Sequence, residues 1–355
     1  MEGDAVDDVA LVRRRAGMYV GGAGGDGVLA LVQEVVGNAF DQHLAGRCAT
    51  IDIVIEGDGS ITVTDDGPGY PARGDAARPP MHALLTTRST QPTVDGHRPH
   101  VHLGIGGNGL FIVNAMSARF EVVTVHAGIE ARGVYEHGRV VDPVTTTVTT
   151  RPSGTTVRFR PDPEIFRTLR VPRAELTSQL EALTFLAPTM TLRWRFDGDD
   201  EARAGLAAWV ASMAERPIAE VAHHRCTHGD GVEAIDIDVA LAWEPSGYVG
   251  TAPRIDSYVN YRRSISGGSH VDGLIDGVCG FVGVAHRQAC ARKLVAVVAV
   301  VLADVTWGNP TRDRLVTEAV RAPVAAATRA ALDAWAAAWP AHADELRARG
   351  AHARR

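Results

Sequence analysis

The feature that most constrains this chain is one amphipathic stretch, Val28 to Gln42, whose main part reads LVQEVVGNAFDQ. As a helix at 100° per residue, it places Glu34, Asn38 and Asp41 within an arc of about 60°. A second stripe lies on another face and is apolar: Val28, Val32, Val35 and Ala39. One face of this helix is therefore predicted to pack in a core, while another presents a carboxylate, an amide and a carboxylate in a row.

Oxygen ligands of this kind suit Mg²⁺, which proteins usually hold with a few oxygens together with the phosphates of a substrate. The alternative is a solvated helix face without a ligand, and these three residues alone favour that alternative. The motifs in the rest of the chain favour the Mg²⁺ site over the solvated helix face.

Composition excludes several classes of protein. The 355 residues are enough for two domains, and 45% hydrophobic with 22% charged residues is ordinary for a soluble globular protein. The sequence contains no apolar run of about 18 residues, and the acidic start MEGDAVDD is not a signal peptide, so we expect a cytoplasmic protein without membrane contact. A net charge of −6 argues against broad nonspecific binding of nucleic acid, although a local basic patch stays open. The cysteines lack metal-ligand spacing and suggest buried thiols: Cys48, Cys226, Cys279 and Cys290.

A β-hairpin is predicted after the helix, from the alternating runs Ile51–Glu56 and Ser60–Asp65 around a Gly-Asp-Gly turn. Its second strand runs into Asp65-Asp66-Gly67-Pro68-Gly69-Tyr70-Pro71. A carboxylate followed by Gly-x-Gly lets a ligand approach the backbone, and it can accept a hydrogen bond from an exocyclic amine such as that of adenine. DDGPG is also a good turn sequence, so a plain turn remains the alternative.

A second glycine-dense segment follows a polar stretch, 86–102, that is predicted to be a loop. Four glycines precede an apolar segment, FIVNAMS: Gly104, Gly106, Gly107 and Gly109. Backbone N–H groups at the start of a helix can hold phosphate oxygens, and a plain flexible loop is the alternative. A dinucleotide-binding fold is not favoured, because no βαβ unit surrounds these glycines.

The remaining runs predict an α+β domain followed by a second domain. Short alternating strands between Arg119 and Pro161 should pair antiparallel, in a sheet covered by helices on one side, with a helix at 173–186 and a strand at 192–196. We place the domain boundary in the Ala-rich region near 200–215, giving domains 1–205 and 206–355. The second domain should contain strands near Ala234–Trp243 and Arg254–Tyr261, a helix at Val271–Ala285, a strand at Leu294–Val305 and an Ala-rich C-terminal helix.

Three further segments receive a structural interpretation. Arg13 to Arg15 are predicted to form a solvated helix end, with contact to phosphate or acidic protein as the alternative. Gly21 to Gly27 should form a loop before the amphipathic helix. Phe196 to Asp200 is interpreted as an acidic surface turn rather than a metal motif.

Taken together, the motifs resemble the GHKL family of ATPases, and within it the ATPase region of the gyrase B and topoisomerase IV B subunits. The motifs that carry the resemblance occur in this order: RAGMYVGG, EVVGNAFDQHLAG, TVTDDGPGYP, GIGGNGLFIVNAMS, YEHG, SGTTVRFRP, GGSH and PTRDRLV. They span Val12 to Val316. The resemblance implies a GHKL (Bergerat) ATP-binding sandwich in 1–205, followed by a smaller α/β gyrase-type transducer domain in 206–355.

The resemblance also implies roles for individual residues. Glu34 corresponds to the general base that orients the attacking water, Asn38 to the Mg²⁺ ligand, and Asp41 to the neighbouring helix carboxylate. Asp65 corresponds to the aspartate that reads adenine. The other implied contacts are Gly69, Pro71 and Thr155 around the base, and Gly104, Gly106, Gly107 and Gly109 in a lid over the triphosphate. Arg312 lies where the family's second domain inserts a lysine toward the γ-phosphate.

Several positions depart from the family pattern. Arg312 replaces the lysine and Pro310 a glutamine, which keeps the charge but changes its geometry. Ala30 stands where the family has a histidine one turn before its base, Gly37 replaces an acidic residue, and Pro68 replaces an arginine. These departures imply retained phosphate sensing with slow turnover.

The part of the family that the resemblance covers indicates which ligands and partners to expect. It stops where the family continues into its DNA-cleaving domain, and the arm that crosses to the other protomer is largely absent. We therefore expect the chain to bind ATP with Mg²⁺, to neither cut nor supercoil DNA alone, and to form at most a weak homodimer or one that uses a different surface.

Three functions stay open, because the GHKL fold serves unrelated purposes. One is a gyrase-B-like ATPase subunit that acts with a protein partner, and through it on DNA. Another is ATP-dependent chemistry on a small molecule in a specialised biosynthetic pathway. The third is a nucleotide-gated binding module without useful turnover.

Overall fold

The computed structural model describes residues 7–73, 80–87, 109–196, 199–201, 206–245, 252–283 and 287–352. The chain divides into two compact units, Met1–Arg203 and Ala204–Arg355. One sheet has eight strands and the other five. Within the described ranges, no helix combines the length and the apolar character needed to cross a membrane.

The first unit combines six helices with the eight-stranded sheet in its described part. The helices are α1 Asp8–Arg14, α2 Ala16–Val20, α3 Gly25–Leu44, α4 Met81–Thr86, α5 Gly109–Ala115 and α6 Arg173–Leu186. The strands are β1 Thr50–Ile55, β2 Ile61–Asp65, β3 Ser117–His126, β4 Ile129–Glu136, β5 Arg139–Val148, β6 Gly154–Pro161, β7 Thr191–Phe196 and β8 Asp199–Glu201.

The first sheet has the strand order β5-β4-β3-β6-β2-β1-β7-β8. All neighbours pair antiparallel except β1 and β7, which are parallel. Burial alternates along β1, so that Ile51 and Ile53 face the core while Asp52 on the opposite face pairs with Arg193 at 2.7 Å. This confirms the predicted α+β class and the predicted hairpin of β1 and β2.

Helix α3 carries the apolar stripe that the sequence predicts. Its stripe residues are all buried: Val28, Val32, Val35 and Ala39. The helix begins at Gly25, so the expectation that Gly21 to Gly27 form a loop is wrong for its last three residues. Gly27 approaches the preceding chain so closely that a Cβ atom there would lie 2.2 Å from the Gly22 carbonyl oxygen. A glycine at this position therefore lets the first turn pack against its own entry segment.

The prediction of a solvated helix end at Arg13 is also wrong. Its guanidinium Nη2 lies 2.6 Å from the Asp162 carboxylate, and Nη1 donates to the Ala115 carbonyl at 2.9 Å. Asp162 is buried, and it also contacts His137 Nδ1 at 2.6 Å. Burial by itself would raise the pKa of Asp162. Hydrogen bonds from the Glu164 N–H, Arg13 and His137 outweigh burial and hold this pKa below its usual value. Arg13 thus fastens α1 to the first unit.

The second unit contains the five-stranded sheet and its helices. The helices are α7 Leu206–Met213, α8 Ser269–Val282, α9 Arg287–Cys290, α10 Arg321–Ala338 and α11 Pro340–His352, with 3₁₀ turns at Gly231–Glu233 and Glu318–Val320. The strands are β9 Ala222–His228, β10 Ile235–Trp243, β11 Arg254–Val259, β12 Arg262–Arg263 and β13 Leu294–Val301.

Strand β13 is the centre of the second sheet, whose order is β12-β11-β13-β10-β9. It runs parallel to β11 and antiparallel to β10, and seven of its eight residues are buried. The strand ends at Val301 rather than at Val305, because Asn260 binds both the N–H and the carbonyl of Leu302 at 2.9 Å. Helix α8 likewise ends at Val282, before Gly283 in the left-handed region at φ 76°.

His270, in the first turn of α8, is fully buried, and neither ring nitrogen has a hydrogen-bond partner in the described part of the chain. Burial disfavours the charged imidazolium and lowers the pKa of His270 to about 4. A histidine in the unfolded chain titrates near its ordinary value of 6.5. Between these two values the unfolded state binds the extra proton, so protonation favours unfolding.

We therefore expect His270 to make the protein less stable as the pH falls. From pH 7 to pH 5 its contribution to the free energy of unfolding should drop by about 2 kcal/mol. The measurement is urea unfolding of the wild type and of His270→Leu at both pH values, and the variant should lack this part of the loss. His228→Leu, which changes an exposed imidazole on β9, should keep it; an equal pH dependence in wild type and His270→Leu would contradict the expectation.

Candidate functional site

The polar stripe of α3 is not an open solvated surface. Glu34 and Asn38 are half-buried and Asp41 is 8% exposed. The Asn38 side-chain nitrogen donates to the Glu34 carbonyl at 2.7 Å, one helical turn back. This bond commits the amide nitrogen to the helix, so the amide oxygen is the atom that can bind a cation. The Glu34 carboxylate accepts the backbone N–H of Gly109, at 3.2 Å, which joins α3 to the start of α5.

The adjacent carboxylates at the end of β2 have different environments. Asp66 accepts the N–H groups of Ala49 and Thr50 at 2.8 and 2.9 Å, and so holds the start of β1. Asp65 accepts the Gly67 N–H at 2.9 Å. Burial, opposed by N–H bonds from Gly67 and Thr155, raises the pKa of Asp65 to about 6. Burial by itself would also raise the pKa of Asp66, but the N–H bonds from Thr50 and Ala49 hold it below its usual value, so Asp66 is structural, and Asp65 is the carboxylate with a raised pKa.

The segment after this pair lies directly on β3. A Cβ atom at Gly69, which has φ 68°, would lie 2.2 Å from the Val125 carbonyl oxygen. The Tyr70 N–H donates to Thr124 Oγ1 at 2.7 Å, and His126 Nδ1 donates to the Pro68 carbonyl at 2.8 Å. The conformation of the glycine segment is thus fixed by three consecutive positions of β3.

Strand β6 completes the surroundings of Asp65. Thr155 is buried and stands directly opposite Asp65 in the antiparallel register. A Cβ atom at Gly154 would lie 2.5 Å from the Asp65 carbonyl oxygen, so only glycine fits there. Pro71 is buried, and its carbonyl accepts the Met81 N–H at 3.0 Å. Asp65, Gly69, Pro71 and Thr155 are therefore placed around the ends of β2, β3 and β6.

Sequence reasoning missed three residues that shape this site. They are Thr124, His126 and Gly154, which support the glycine segment and the backbone of Asp65. Gly154 lies in the SGTTVRFRP motif beside Thr155, but no local pattern marks Thr124 or His126, because their partners lie in the glycine segment after β2. The strand register of a sheet built from these segments is the signal that would have identified them.

The second glycine segment is described only at its end. Gly104, Gly106 and Gly107 lie outside the described residues, as does the 86–102 stretch after Thr87. Gly109 opens α5 with φ 61°, and a Cβ atom there would meet nothing within 4 Å.

Arg312 lies in the second unit, in a tight turn with φ 54°. Asn309 and Asp313 bracket the turn: their side chains are hydrogen-bonded, and the Asp313 N–H donates back to Asn309 Oδ1 at 3.2 Å. Arg262 Nη2 donates to the Thr311 carbonyl at 2.9 Å. Burial and the charge of Arg312 lower the pKa of Arg262. A non-glycine residue in the left-handed region persists only where its surroundings hold it, as this bracket does.

One other cluster of metal-type side chains occurs in the described ranges, at His137, Asp162 and Glu164. Arg13 Nη2 lies 2.6 Å from Asp162 and 3.2 Å from Glu164. A guanidinium therefore neutralises this cluster, which leaves the stripe on α3 as the candidate for a cation. Its carboxylate and amide oxygens are the hard ligands that Mg²⁺ prefers.

The site and the fold define a family. Residues 24–165 match the family of histidine kinase-, DNA gyrase B-, and HSP90-like ATPases. The first unit therefore contains a domain of that family, and the relatives of the chain include DNA gyrase B proteins.

The mitochondrial DNA gyrase B protein of Arabidopsis thaliana is 31% identical over 283 residues, which are 74% of this chain and 38% of that protein. The DNA gyrase B protein of Thermotoga maritima is 30% identical over 273 residues, covering 73% of this chain and 42% of that protein. The chain thus spans about two fifths of the length of these relatives.

Solved structures show the same fold. The 43K ATPase domain of Thermus thermophilus gyrase B, solved with an aminocoumarin, superposes with a TM-score of 0.79 at 23% identity, covering 98% of this chain and 95% of that one. The topoisomerase IV ATP-binding domain of Francisella tularensis gives a TM-score of 0.76 at 22% identity, covering 96% and 95%. Both units of the chain are therefore included in the likeness of fold.

The close approach at Gly69 gives a test of the site's architecture. Gly69→Ala should lower the free energy of unfolding by about 2–4 kcal/mol, because it adds a backbone clash to a left-handed conformation. Gly46→Ala is the matched control, since Gly46 has φ 70° with nothing within 4 Å of a Cβ atom. It should cost only about 1–2 kcal/mol. Equal losses in denaturant unfolding would show that the segment does not lie against β3 as described.

Proposed function

We propose that this chain binds ATP with Mg²⁺ and hydrolyses it slowly, as the nucleotide-driven switch of a gyrase-B-like protein. The observation that carries the proposal is Asp65: a partly buried carboxylate with a raised pKa, beside glycines that no other residue could replace. Perturbed carboxylates of this kind occur more often at functional sites than elsewhere. Membership of the ATPase family supports the same function.

Asp65 is the proposed reader of the base. At neutral pH, above its pKa of about 6, the carboxylate is ionised and accepts a hydrogen bond from the adenine amine. Guanine presents a carbonyl oxygen at the corresponding position, which would face the carboxylate as a second acceptor. Gly69, Pro71 and Thr155 are proposed to enclose the base, since they lie around the same strand ends.

The stripe on α3 is the proposed phosphate end of the site. Asn38 would hold Mg²⁺ through its amide oxygen, with the Asp41 carboxylate beside it on the helix. The ion, when bound, supplies positive charge to the phosphate oxygens. Gly104, Gly106, Gly107 and Gly109 are proposed to form the lid, and the N–H of Gly109 already contacts Glu34.

Glu34 is the proposed general base. Its carboxylate is held from one side by the Gly109 N–H, at 3.2 Å. One turn before it, Ala30 is buried and offers no polar side chain that could orient the carboxylate. Orientation of the base therefore relies in part on the glycine segment, which supports the proposal of slow turnover.

Arg312 and the second unit are proposed to respond to the nucleotide. The hydrogen bonds that bracket the turn hold the backbone of Arg312, and a guanidinium suits recognition of a phosphate group. The unit is proposed to act as the transducer, working with a protein partner and through it on DNA. Stimulation of hydrolysis by a small metabolite instead of such a partner would point to the alternative function in biosynthesis.

Base recognition is tested with Asp65→Asn. The variant should bind ATP more weakly by about 1–3 kcal/mol, because an amide cannot replace the ionised acceptor. The wild type should prefer ATP to GTP, and its affinity for ATP relative to that of the variant should fall about tenfold between pH 7.5 and pH 5, as Asp65 becomes protonated. Isothermal titration calorimetry measures these values.

Asp58→Asn is the control for this experiment. It makes the same chemical change at an exposed carboxylate in the turn between β1 and β2. It should leave the preference for ATP and its pH dependence unchanged. Equal affinity of the wild type for ATP and GTP would refute the assignment of Asp65.

Catalysis is tested on α3. Glu34→Gln preserves an acceptor for the Gly109 N–H, so nucleotide binding should persist while hydrolysis falls by about 10²-fold or more. Asn38→Ala should instead weaken Mg²⁺-dependent binding as well as turnover. Because the wild type is expected to be slow, single-turnover measurement with radiolabelled ATP is the appropriate assay.

Asp26→Asn is the matched control, since it neutralises an exposed carboxylate in the first turn of the same helix. Its turnover should equal that of the wild type. If Glu34→Gln hydrolyses ATP as fast as the wild type does, Glu34 is not the base.

A further inference from the structure

The corner between α8 and α9 in the second unit brings two cysteines together. Asp272, Asp276 and Cys279 share one stripe of α8, at positions i, i+4 and i+7. Helix α9 contributes Arg287 and, three positions later, Cys290. Arg287 of α9 therefore faces Asp272 and Asp276 of α8, and Cys290 of α9 faces Cys279 of α8.

Arg287 fixes the register of this corner. Its Nη2 lies 2.6 Å from Asp272 Oδ1, and its Nη1 lies 2.6 Å from Asp276 Oδ1. Asp276 is held from the other side by Arg321 Nε at 2.7 Å. A guanidinium that bridges two successive turns of α8 leaves α9 little freedom to slide, so Cys290 stays next to Cys279.

The two thiols lie within hydrogen-bond reach of each other, and both are reduced in the structure. Cys290 is buried at 4% exposure, while Cys279 is half-buried. Disulfide formation requires that two cysteines be close before they react, since larger separations need movement of the backbone. We propose that Cys279 and Cys290 are an oxidation site, which forms a reversible intramolecular disulfide with a low-molecular-weight disulfide as the oxidant.

The reaction proceeds by two exchanges. The Cys279 thiolate attacks one sulfur of the small disulfide, whose S–S bond breaks and releases one small thiol. Cys290 then attacks the Cys279 sulfur of the mixed disulfide and releases the second small thiol. Two protein thiols are oxidised and one small disulfide is reduced to two thiols, which take up the two protons.

The environment makes this pair slow to react. Burial, together with the facing Cys290, raises the pKa of Cys279 to about 12, so little thiolate exists at neutral pH. The pair should therefore respond to sustained oxidation over minutes to hours rather than to brief exposure. Once formed, the bond links α8 to α9 covalently, in addition to the Arg287 bridges.

The test uses the full chain and oxidised glutathione. Four cysteines are present, so titration of thiols under denaturing conditions should fall from four to two after incubation. Peptide mapping should identify one cross-link, Cys279 to Cys290, in the monomer, and the oxidised protein should unfold at a higher temperature than the reduced one. Reduction with dithiothreitol should restore all four thiols.

Two variants separate this outcome from general oxidation. Cys226→Ser should still lose two thiols, because Cys226 lies on β9, away from the pair in sequence and strand. Cys279→Ser should form no cross-link and gain no thermal stability on oxidation. Three results would overturn the proposal: retention of all four thiols, adducts on single cysteines only, or a link that involves Cys48 or Cys226. If a variant fails to fold, the peptide map of the wild type still distinguishes these results.

Discussion

The first unit depends on the different hydrogen bonds of two adjacent carboxylates, Asp65 and Asp66. Asp66 accepts two backbone N–H groups at the start of β1 and so joins the end of one strand to the start of its neighbour. The Asp65 carboxylate instead accepts the Gly67 N–H and lies partly buried at the position opposite Thr155. These bonds align the start of β1 with the end of β2, a few residues after α3 ends at Leu44.

The sequence is sufficient for features that depend on local periodicity. The apolar stripe of α3, the hairpin and the antiparallel strands follow from spacings of 3.6 and 2 residues. The sequence is insufficient where a residue contacts a partner far away along the chain. Examples are the ion pair of Arg13 with Asp162 and the hydrogen bond of His126 to the Pro68 carbonyl. A run of arginines looks the same whether it ends in solvent or in a buried carboxylate. Such pairs are decided by how helices, strands and loops pack in the folded unit, which no local pattern encodes.

Arg312 carries its positive charge on a turn that is held by its own neighbours. The residue occupies a left-handed backbone conformation that is costly for any side chain with a Cβ atom. Asn309 and Asp313 hold the turn through hydrogen bonds between their side chains and backbone, so the cost is met by the loop itself. Under the proposed function, Arg312 would offer a phosphate a planar guanidinium in place of the point charge of a lysine.

The raised pKa of Asp65 also links recognition to stability. A carboxylate that is easier to protonate in the folded state lowers the stability of the fold above that pKa, because its charge is incompletely solvated. Under the proposed function, a donor supplied by a bound base would offset part of this cost. Glu34 makes a second link, because its contact with the Gly109 N–H joins α3 to the start of α5. Under the proposed function, this contact would couple the phosphate end of the site to α5, which is what a nucleotide-driven switch requires.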